Sequence, residues 1–231
     1  MFDHEAWTFV QIGFRLDLTI RSSNIPAMGR VSDAKDRLLD AAIKLVWRNS
    51  DGSVSVEDIC HEGGVKKGSF YHFFPGKNEL VAAAFRKRWA EVRPDYDRMF
   101  SPTVPPIDRL RAFFSFSLEK QQALHQETGC VLGCPFSSIG TELVANGTDD
   151  GGLRDAIQEL VRGKMRYIES AIRDAMSEGS IRAGNASALA EMLYLYFEGA
   201  LSQARIQNDL SLLKSVEENA LHMIGFQPVA V

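Results

Sequence analysis

Cysteine is scarce in this sequence, and its scarcity excludes several classes of protein. The 231 residues include three cysteines, Cys60, Cys130 and Cys134, an odd number and too few for a disulfide scaffold. Long apolar runs are missing as well, since no stretch approaches the roughly 20 residues that cross a bilayer. The first 28 residues lack the basic-then-apolar order of a secretory signal. We therefore expect reduced thiols, a cytoplasmic location and no membrane partner.

Motifs of catalysis are missing too. The sequence has no Gly-x-Ser-x-Gly, no glycine-rich loop after a strand and no spaced pair of metal ligands. We therefore predict no enzymatic activity, no cofactor and no metal site. An enzyme with a cysteine nucleophile is a remote alternative.

Runs that alternate between apolar and polar residues are also missing, and helical periodicity takes their place. Apolar residues at helical spacing over 33–49 predict a first amphipathic helix, which the turn residues Asn49 to Gly52 end. Further helices are predicted over 55–62, 66–72, 77–93, 107–126, 136–145, 153–177, 186–207 and 210–224. Pro94 is expected to end the fourth helix, because proline lacks the N–H donor that a helix interior needs. The pattern predicts an all-α fold with a small N-terminal head and a larger helical body.

Charge is unevenly distributed between these two parts. Residues 29–90 contain eleven Lys or Arg and eight Asp or Glu, a net charge of +3, whereas the whole chain carries −4. A modestly basic head on an acidic body places any contact with nucleic acid on the head.

The second and third predicted helices form the most informative pattern in the head. Ser55 is placed to cap the second helix, and Gly63-Gly64 makes a tight turn into the third. Two short helices joined in this way form a helix-turn-helix, whose second helix can enter the major groove of DNA. Here that helix reads Lys66-Lys67-Gly68-Ser69-Phe70-Tyr71-His72, which is rich in hydrogen-bond donors. By itself the pattern is equally compatible with a small bundle whose lysines are merely solvated.

A resemblance decides between these interpretations. The run from Arg37 to Phe85 closely resembles the DNA-binding region of the tetracycline-repressor (TetR) family. Matching features are Leu39–Ala42, Val56–Ile59, Gly64-Val65, Gly68–Tyr71, Phe74 and Lys77–Leu80. Two positions depart from the pattern: Gly63 stands where alanine is usual, and Gly76 stands where a small polar residue is commoner.

The resemblance implies a three-helix helix-turn-helix DNA-binding domain over 29–76 and a helical ligand-binding and dimerisation domain over 77–231. It implies a one-component transcriptional regulator, a repressor that binds a palindromic operator as a homodimer and is released by a small-molecule effector. Implied contacts to double-stranded DNA are Ser55, Lys66, Lys67, Ser69, Tyr71, His72 and Lys77. Gly68 is expected among them, because glycine inside a helix is costly unless the backbone must approach DNA closely.

The last two long helices are the predicted dimer interface. Small residues in the helix over 186–207 allow close helix approach, and the helix over 210–224 has an apolar stripe. A dimer would space two recognition helices about 34 Å apart, one turn of DNA. The alternative is that these stripes are buried only within one subunit. The predicted interface residues are Leu193, Phe197, Gly199, Ala200, Ala204, Leu213 and Val216.

Aromatic residues in the body predict an apolar or mixed ligand pocket, although each alone is more typical of a plain core. Residues 133–142 and 198–201 also resemble, more weakly, a branch of the family that includes repressors answering to small reactive or unsaturated electrophiles and acids. The predicted pocket residues are Phe113, Phe116, Cys134, Phe136, Tyr167, Tyr194 and Phe197.

Cys130 and Cys134 leave three interpretations open. Inert thiols are the default. A redox or electrophile sensor is the alternative, since a thiol at a helix start can have a lowered pKa. A metal site is disfavoured because only one histidine, His125, lies close in sequence.

Residues 1–27 match no part of the family pattern. We expect an extension before a natural start at Met28-Gly29-Arg30, or an arm that is disordered or loosely docked.

Overall fold

The structure is a computed structural model that describes residues 30–49, 51–146 and 152–227. Its helices are α1 (Arg30–Arg48), α2 (Val56–Glu62), α3 (Lys67–Phe73), α4 (Lys77–Met99), α5 (Pro106–Thr128), α6 (Pro135–Asn146), α7 (Leu153–Ser177), α8 (Ala186–Gln207) and α9 (Val216–Met223). These ranges contain no strand, which confirms the predicted all-α fold. None of these helices is both long enough and apolar enough to cross a membrane. The predicted N-terminal extension lies outside the described residues.

The head consists of α1, α2 and α3, and its local structure follows the predicted signals. The Ser55 hydroxyl accepts a hydrogen bond from the Asp58 N–H (3.1 Å), and the Asp58 carboxylate accepts one from the Ser55 N–H (2.9 Å). This reciprocal capping box fixes where α2 begins. After α2, Gly64 has a φ of 60°, a conformation that only glycine adopts without strain. Phe70 is fully buried and holds α3 against α1 and α2.

Helix α4 connects the head to the body, which comprises α4 to α9, and it is longer than predicted. The prediction that this helix ends at Pro94 is wrong, because α4 continues to Met99. An internal proline costs about 3 kcal/mol. Packing beyond the proline offsets this cost: Tyr96 is buried, with its ring centroid 5.2 Å from that of Trp89 and 5.6 Å from that of Tyr167.

The end of the chain differs from prediction as well. The single helix expected over 210–224 is divided into a 3₁₀ turn at Leu210–Leu213 and α9. The Asp209 carboxylate accepts hydrogen bonds from both the N–H and the hydroxyl of Ser211 (both 2.8 Å). Such local bonds compete with the α-helical pattern and favour a tight turn.

A close contact between α4 and α7 shapes the body. Gly163 of α7 faces Trp89 of α4, and a Cβ at position 163 would lie 2.8 Å from Cζ2 of that indole. Glycine is therefore needed here for space and not for an unusual backbone angle. The contact brings α7 close to the helix that carries the head.

We expect Gly163→Ala to lower the free energy of unfolding by about 1–2 kcal/mol, because overpacking against Trp89 outweighs the gain in helix propensity. Gly140→Ala in α6 is the matched control, since nothing lies within 4 Å of its Cβ position. The control is expected to be neutral or to stabilise by up to about 1 kcal/mol. Thermal unfolding followed by circular dichroism tests both; equal stabilisation of the two variants would contradict the tight contact.

Candidate nucleic-acid interface and interior cavity

The outer face of α3 is polar and open to solvent. Lys66, Lys67, Tyr71 and His72 are exposed, with 55% of Tyr71 accessible, whereas Phe70 between them is buried. An aromatic side chain held in the open beside cationic groups is suited to a duplex groove, where it can meet sugars, phosphates and base edges. Four of the predicted DNA-contacting residues at this helix are therefore exposed.

Gly68 belongs to the same helix. It is exposed, and nothing lies within 4 Å of its Cβ position. No contact among the described residues therefore requires glycine here, in contrast to Gly163. This is the arrangement expected if the space over α3 is needed by an outside partner.

Three of the predicted DNA contacts already have partners within the chain. Ser55 uses its hydroxyl in the α2 capping box, and Lys67 pairs with Glu57. The Lys77 ammonium donates to the Val54 carbonyl (3.2 Å) and so ties α4 to the loop before α2. Ser69 is half-buried. The DNA-binding role of all these residues stays a prediction.

An interior cavity of about 100 Å³ lies between the head and the body. Four of the predicted pocket residues line it: Phe116, Cys134, Phe136 and Phe197. A second, larger groove of about 410 Å³ lies between α1 and α5. The two share Ile43, Trp47, Arg88 and Lys120, so the cavity and the groove meet at these side chains.

The other three predicted pocket residues do not line the cavity. Phe113 is buried in the core, with its ring centroid 4.9 Å from that of Phe197. Tyr167 donates its hydroxyl to Asp97 at the surface of α4, and Tyr194 is buried beside Glu198. The prediction that Phe113, Tyr167 and Tyr194 line the cavity is wrong, because their rings pack behind its wall or outside it.

The pocket predicted from the sequence lacks most of the polar residues that line the cavity. It also lacks the residues that the head contributes to the wall. Trp89, Val92 and Tyr96 of α4 line the cavity at helical spacing. This spacing is present in the sequence, but the prediction that α4 ends at Pro94 leaves Tyr96 outside the helix. The remaining missed residues include Ile43, Trp47, Arg88, Lys120, Gln121 and Lys164.

The peptide of Gly133 joins the head to this cavity wall. Its carbonyl accepts hydrogen bonds from the Trp47 indole N–H of α1 and from the Gln121 amide of α5, both at 3.0 Å. Its N–H donates to the Gln121 Oε1 (2.9 Å). Gly133 has a φ of 64° and lies against the Leu201 carbonyl of α8. Gly133, two residues before the start of α6, thus contacts the head, α5 and α8 together.

Three cationic side chains line the cavity, and they differ in their partners. Arg88 pairs with Glu91 at 3.3 Å. Lys164 lies near the Glu198 carboxylate; burial disfavours its charge, but Tyr96, Tyr194, Cys134 and Glu198 together raise its pKa above the usual value. Lys120 behaves differently: burial, and then the charge of Arg88, lower its pKa to about 8.

Cys134 does not have the character of a thiol sensor. Cys134 directly precedes α6, but burial raises its pKa to about 11, so it is a protonated thiol at neutral pH. The expectation of a lowered pKa at this helix start is therefore wrong, because desolvation outweighs the helix dipole. Cys130 is exposed and Cys60 is buried, and all three are free.

Most of the predicted dimer-interface residues are buried within their own subunit. Leu193, Phe197, Ala204, Leu213 and Val216 are in the core, so they have no surface to offer a partner. Ala200 is half-buried, and Gly199 is exposed. The expectation that these five residues face a partner subunit is wrong, because Leu193, Phe197 and Ala204 of α8 and Leu213 and Val216 after it are buried against their own subunit.

Comparisons with known proteins agree with this architecture. Residues 38–84 match the family model of bacterial regulatory proteins of the tetR family, and residues 106–219 match the tetracyclin repressor-like C-terminal domain. The chain is 28% identical over 190 residues to the transcriptional regulator AcuR of Cereibacter sphaeroides, covering 79% of this chain and 84% of that protein. It is 30% identical over 104 residues to the regulator BetI of Brucella anthropi, which spans 45% of this chain and about half (53%) of BetI.

Solved structures share the fold. A regulatory protein TetR from Rhodobacter sphaeroides superposes with a TM-score of 0.70 at 25% identity, covering 81% of this chain and 96% of that one. The reduced form of NemR from E. coli superposes with a TM-score of 0.73 at 22% identity, covering 85% of this chain and all of that one (100%). With a matching family model on the head and another on the body, this chain belongs to the TetR family of transcriptional regulators.

Proposed function

We propose that this protein is a one-component repressor that binds a palindromic operator as a homodimer and releases it when a small molecule occupies the interior cavity. The observation that carries the proposal is the exposure of Lys66, Gly68, Tyr71 and His72 at α3. The family models and the regulator relatives support it. The division into a DNA-binding head over 29–76 and a ligand-binding, dimerising body over 77–231 belongs to the same proposal.

The cavity is positioned to influence the head directly. Trp47 belongs to α1 of the head, yet it lines the cavity and donates a hydrogen bond to Gly133 in the body. A molecule that fills the cavity therefore meets the head and the body at once. Because such a molecule favours one arrangement of the head and the body over other arrangements, it shifts the population between DNA-binding and released forms. Effector and operator must then weaken each other's binding by the same factor.

We propose that the outer face of α8 is the dimer surface. It replaces the predicted interface residues that are buried within their own subunit. Leu195, Gly199, Ser202 and Ile206 recur at helical spacing, and 63% of Leu195 and 71% of Ile206 are accessible. Apolar side chains this exposed on a long helix are typical of a helix-packing interface. Met223 of α9 is exposed as well. Two copies related by a two-fold axis would pack these faces against each other.

The DNA-binding proposal predicts that Lys66→Ala weakens binding to the DNA upstream of the gene in a salt-dependent way. Each dimer would lose two phosphate contacts, so the slope of log K against log salt should fall in magnitude by about 2. Lys214→Ala, which removes an exposed lysine of the body, is the matched control and should leave the slope unchanged. Fluorescence anisotropy over a salt series measures both; wild-type protein without salt-sensitive affinity for any duplex would overturn the proposal.

Gly68→Ala separates DNA binding from folding. The free protein has room for the methyl group, so its thermal stability should stay equal or rise by up to about 1 kcal/mol. Operator affinity should nevertheless fall at least tenfold, because the added carbon occupies the space where α3 approaches DNA. A variant that binds the operator as tightly as wild type would show that the α3 backbone stays away from the duplex.

The dimer surface predicts that Ile206→Glu produces a monomer, because it places a charge at the centre of an apolar contact. Light scattering coupled to size-exclusion chromatography measures the mass. Glu191→Gln, at an exposed position near the start of the same helix, is the control and should leave the mass unchanged. If Ile206→Glu keeps the wild-type dimer mass, the interface lies elsewhere.

A further inference from the structure

An ion pair joins the two helices of the helix-turn-helix. Glu57 lies in the first turn of α2, Lys67 is the first residue of α3, and the Lys67 ammonium donates a hydrogen bond to the Glu57 carboxylate. Both side chains are open to solvent, with 61% of Glu57 and 51% of Lys67 accessible. Such exposed pairs contribute little to folding. The capping of α2 does not require Glu57 either, because Ser55 and Asp58 form the capping box.

The pair lies beside the groups that the proposed function places against DNA. Lys67 and Tyr71 are four residues apart on α3, so they share one face of that helix. Glu57, and more weakly Tyr71, raise the pKa of Lys67 above its usual value, in keeping with this proximity. Lys66, directly before Lys67, is exposed as well. The Glu57 carboxylate is therefore next to side chains that are predicted to contact the duplex.

A carboxylate in this place is unfavourable against DNA in general. It repels phosphates, and in the free protein it pairs with the Lys67 ammonium, so a phosphate would have to displace it. Specific binding proteins use such repulsive groups to weaken their binding to wrong partners. The repulsion is offset only where the duplex offers the Glu57 carboxylate a hydrogen-bond donor. In the major groove, the amino groups of cytosine and adenine are such donors.

The major-groove edge of a G·C pair matches both members of the ion pair. Cytosine presents its N4 amine as a donor, and guanine presents O6 and N7 as acceptors. The N4 amine and O6 are hydrogen-bonded to each other within the base pair, so they lie about 2.9 Å apart. The ammonium and the carboxylate are also hydrogen-bonded to each other, which gives them a similar spacing. An A·T pair fits less well, because thymine offers the ammonium a single oxygen beside a methyl group.

We propose that Glu57 is a specificity-determining residue and that the Glu57–Lys67 ion pair recognises one G·C base pair in each half of the operator. The carboxylate accepts a hydrogen bond from the cytosine N4 amine, and the ammonium donates to guanine O6 and N7. The inference rests on the proposed function, since it names a base pair that the same surface recognises. Because the two charges have a fixed order, the pair also determines which strand carries the guanine.

The test selects binding sites for the full chain from a library of duplexes with a randomised central segment. Wild-type protein should select a palindromic site, and changing the recognised G·C pair to A·T in both halves should weaken binding at least about tenfold. Glu57→Ala should lose the preference at that position and keep the rest of the site. Glu62→Ala, which removes a carboxylate paired with Lys44 at the other end of α2, is the matched control and should select the wild-type site.

Exchange of the two charges gives an independent readout. The double variant that combines Glu57→Lys with Lys67→Glu keeps the net charge of the head but reverses the order of the charges. It should therefore select C·G in place of G·C at the same position. Because both side chains are exposed, thermal unfolding of this variant should stay close to that of the wild type. A folded double variant that selects the wild-type orientation would overturn the assignment.

Failure of this inference and failure of the proposed function give different results. If wild-type protein selects a site and Glu57→Ala selects the same site with the same discrimination at every position, the regulator stands and the role of Glu57 is overturned. If wild-type protein enriches no sequence and has no salt-sensitive affinity for any duplex, the proposed function is overturned, and the role of Glu57 with it.

Discussion

The structure depends on one peptide group in the loop between α5 and α6. The Gly133 carbonyl receives donors from the head and from α5, and its N–H returns a hydrogen bond to the same Gln121 side chain. Each of the two hydrogen bonds to the carbonyl contributes about 0.5–1.5 kcal/mol, and because these groups are buried or partly buried, loss of both would leave the carbonyl unsatisfied at a cost of about 1–3 kcal/mol. The head cannot tilt relative to α5 without breaking the Trp47 bond, so the position of α3 is tied to the wall of the cavity.

The same loop is tied to the far end of α8 by a second set of polar contacts. Arg205 donates to the Leu132 carbonyl (3.0 Å) and to the Ser138 hydroxyl (2.6 Å), while the Asn208 side chain accepts from the Val131 N–H (2.8 Å). Helix α8 carries the proposed dimer surface on its opposite side. The head, the cavity wall and the helix that carries the proposed dimer surface thus all contact this one loop. A change at any one of them can reach the others through packed groups and fixed hydrogen bonds.

Local signals in the sequence were enough to predict the elements but not the surfaces. Helices α7 and α8 have the predicted bounds, and the Ser55 cap and the Gly64 turn are as expected, because each depends on neighbours in sequence. Pro94 was misread because packing of Tyr96 on Trp89 is a tertiary contact that no local pattern records. Helix α8 packs closely, with Ala204 fully buried, as its small residues predict. Which partner it meets, its own subunit or a second one, is decided by the arrangement of α5 and α7.

The cavity wall contains one tryptophan from the head and one from the body, and this affects the intrinsic fluorescence of the protein. Trp47 comes from the head and Trp89 from the body, and both line the cavity, while the third tryptophan of the sequence is Trp7. Indole emission changes with the polarity and the quenching groups around the ring. The intrinsic fluorescence of Trp47 and Trp89 therefore reports on the junction of head and body. Binding of a ligand or movement of the head changes this fluorescence, so no attached dye is needed.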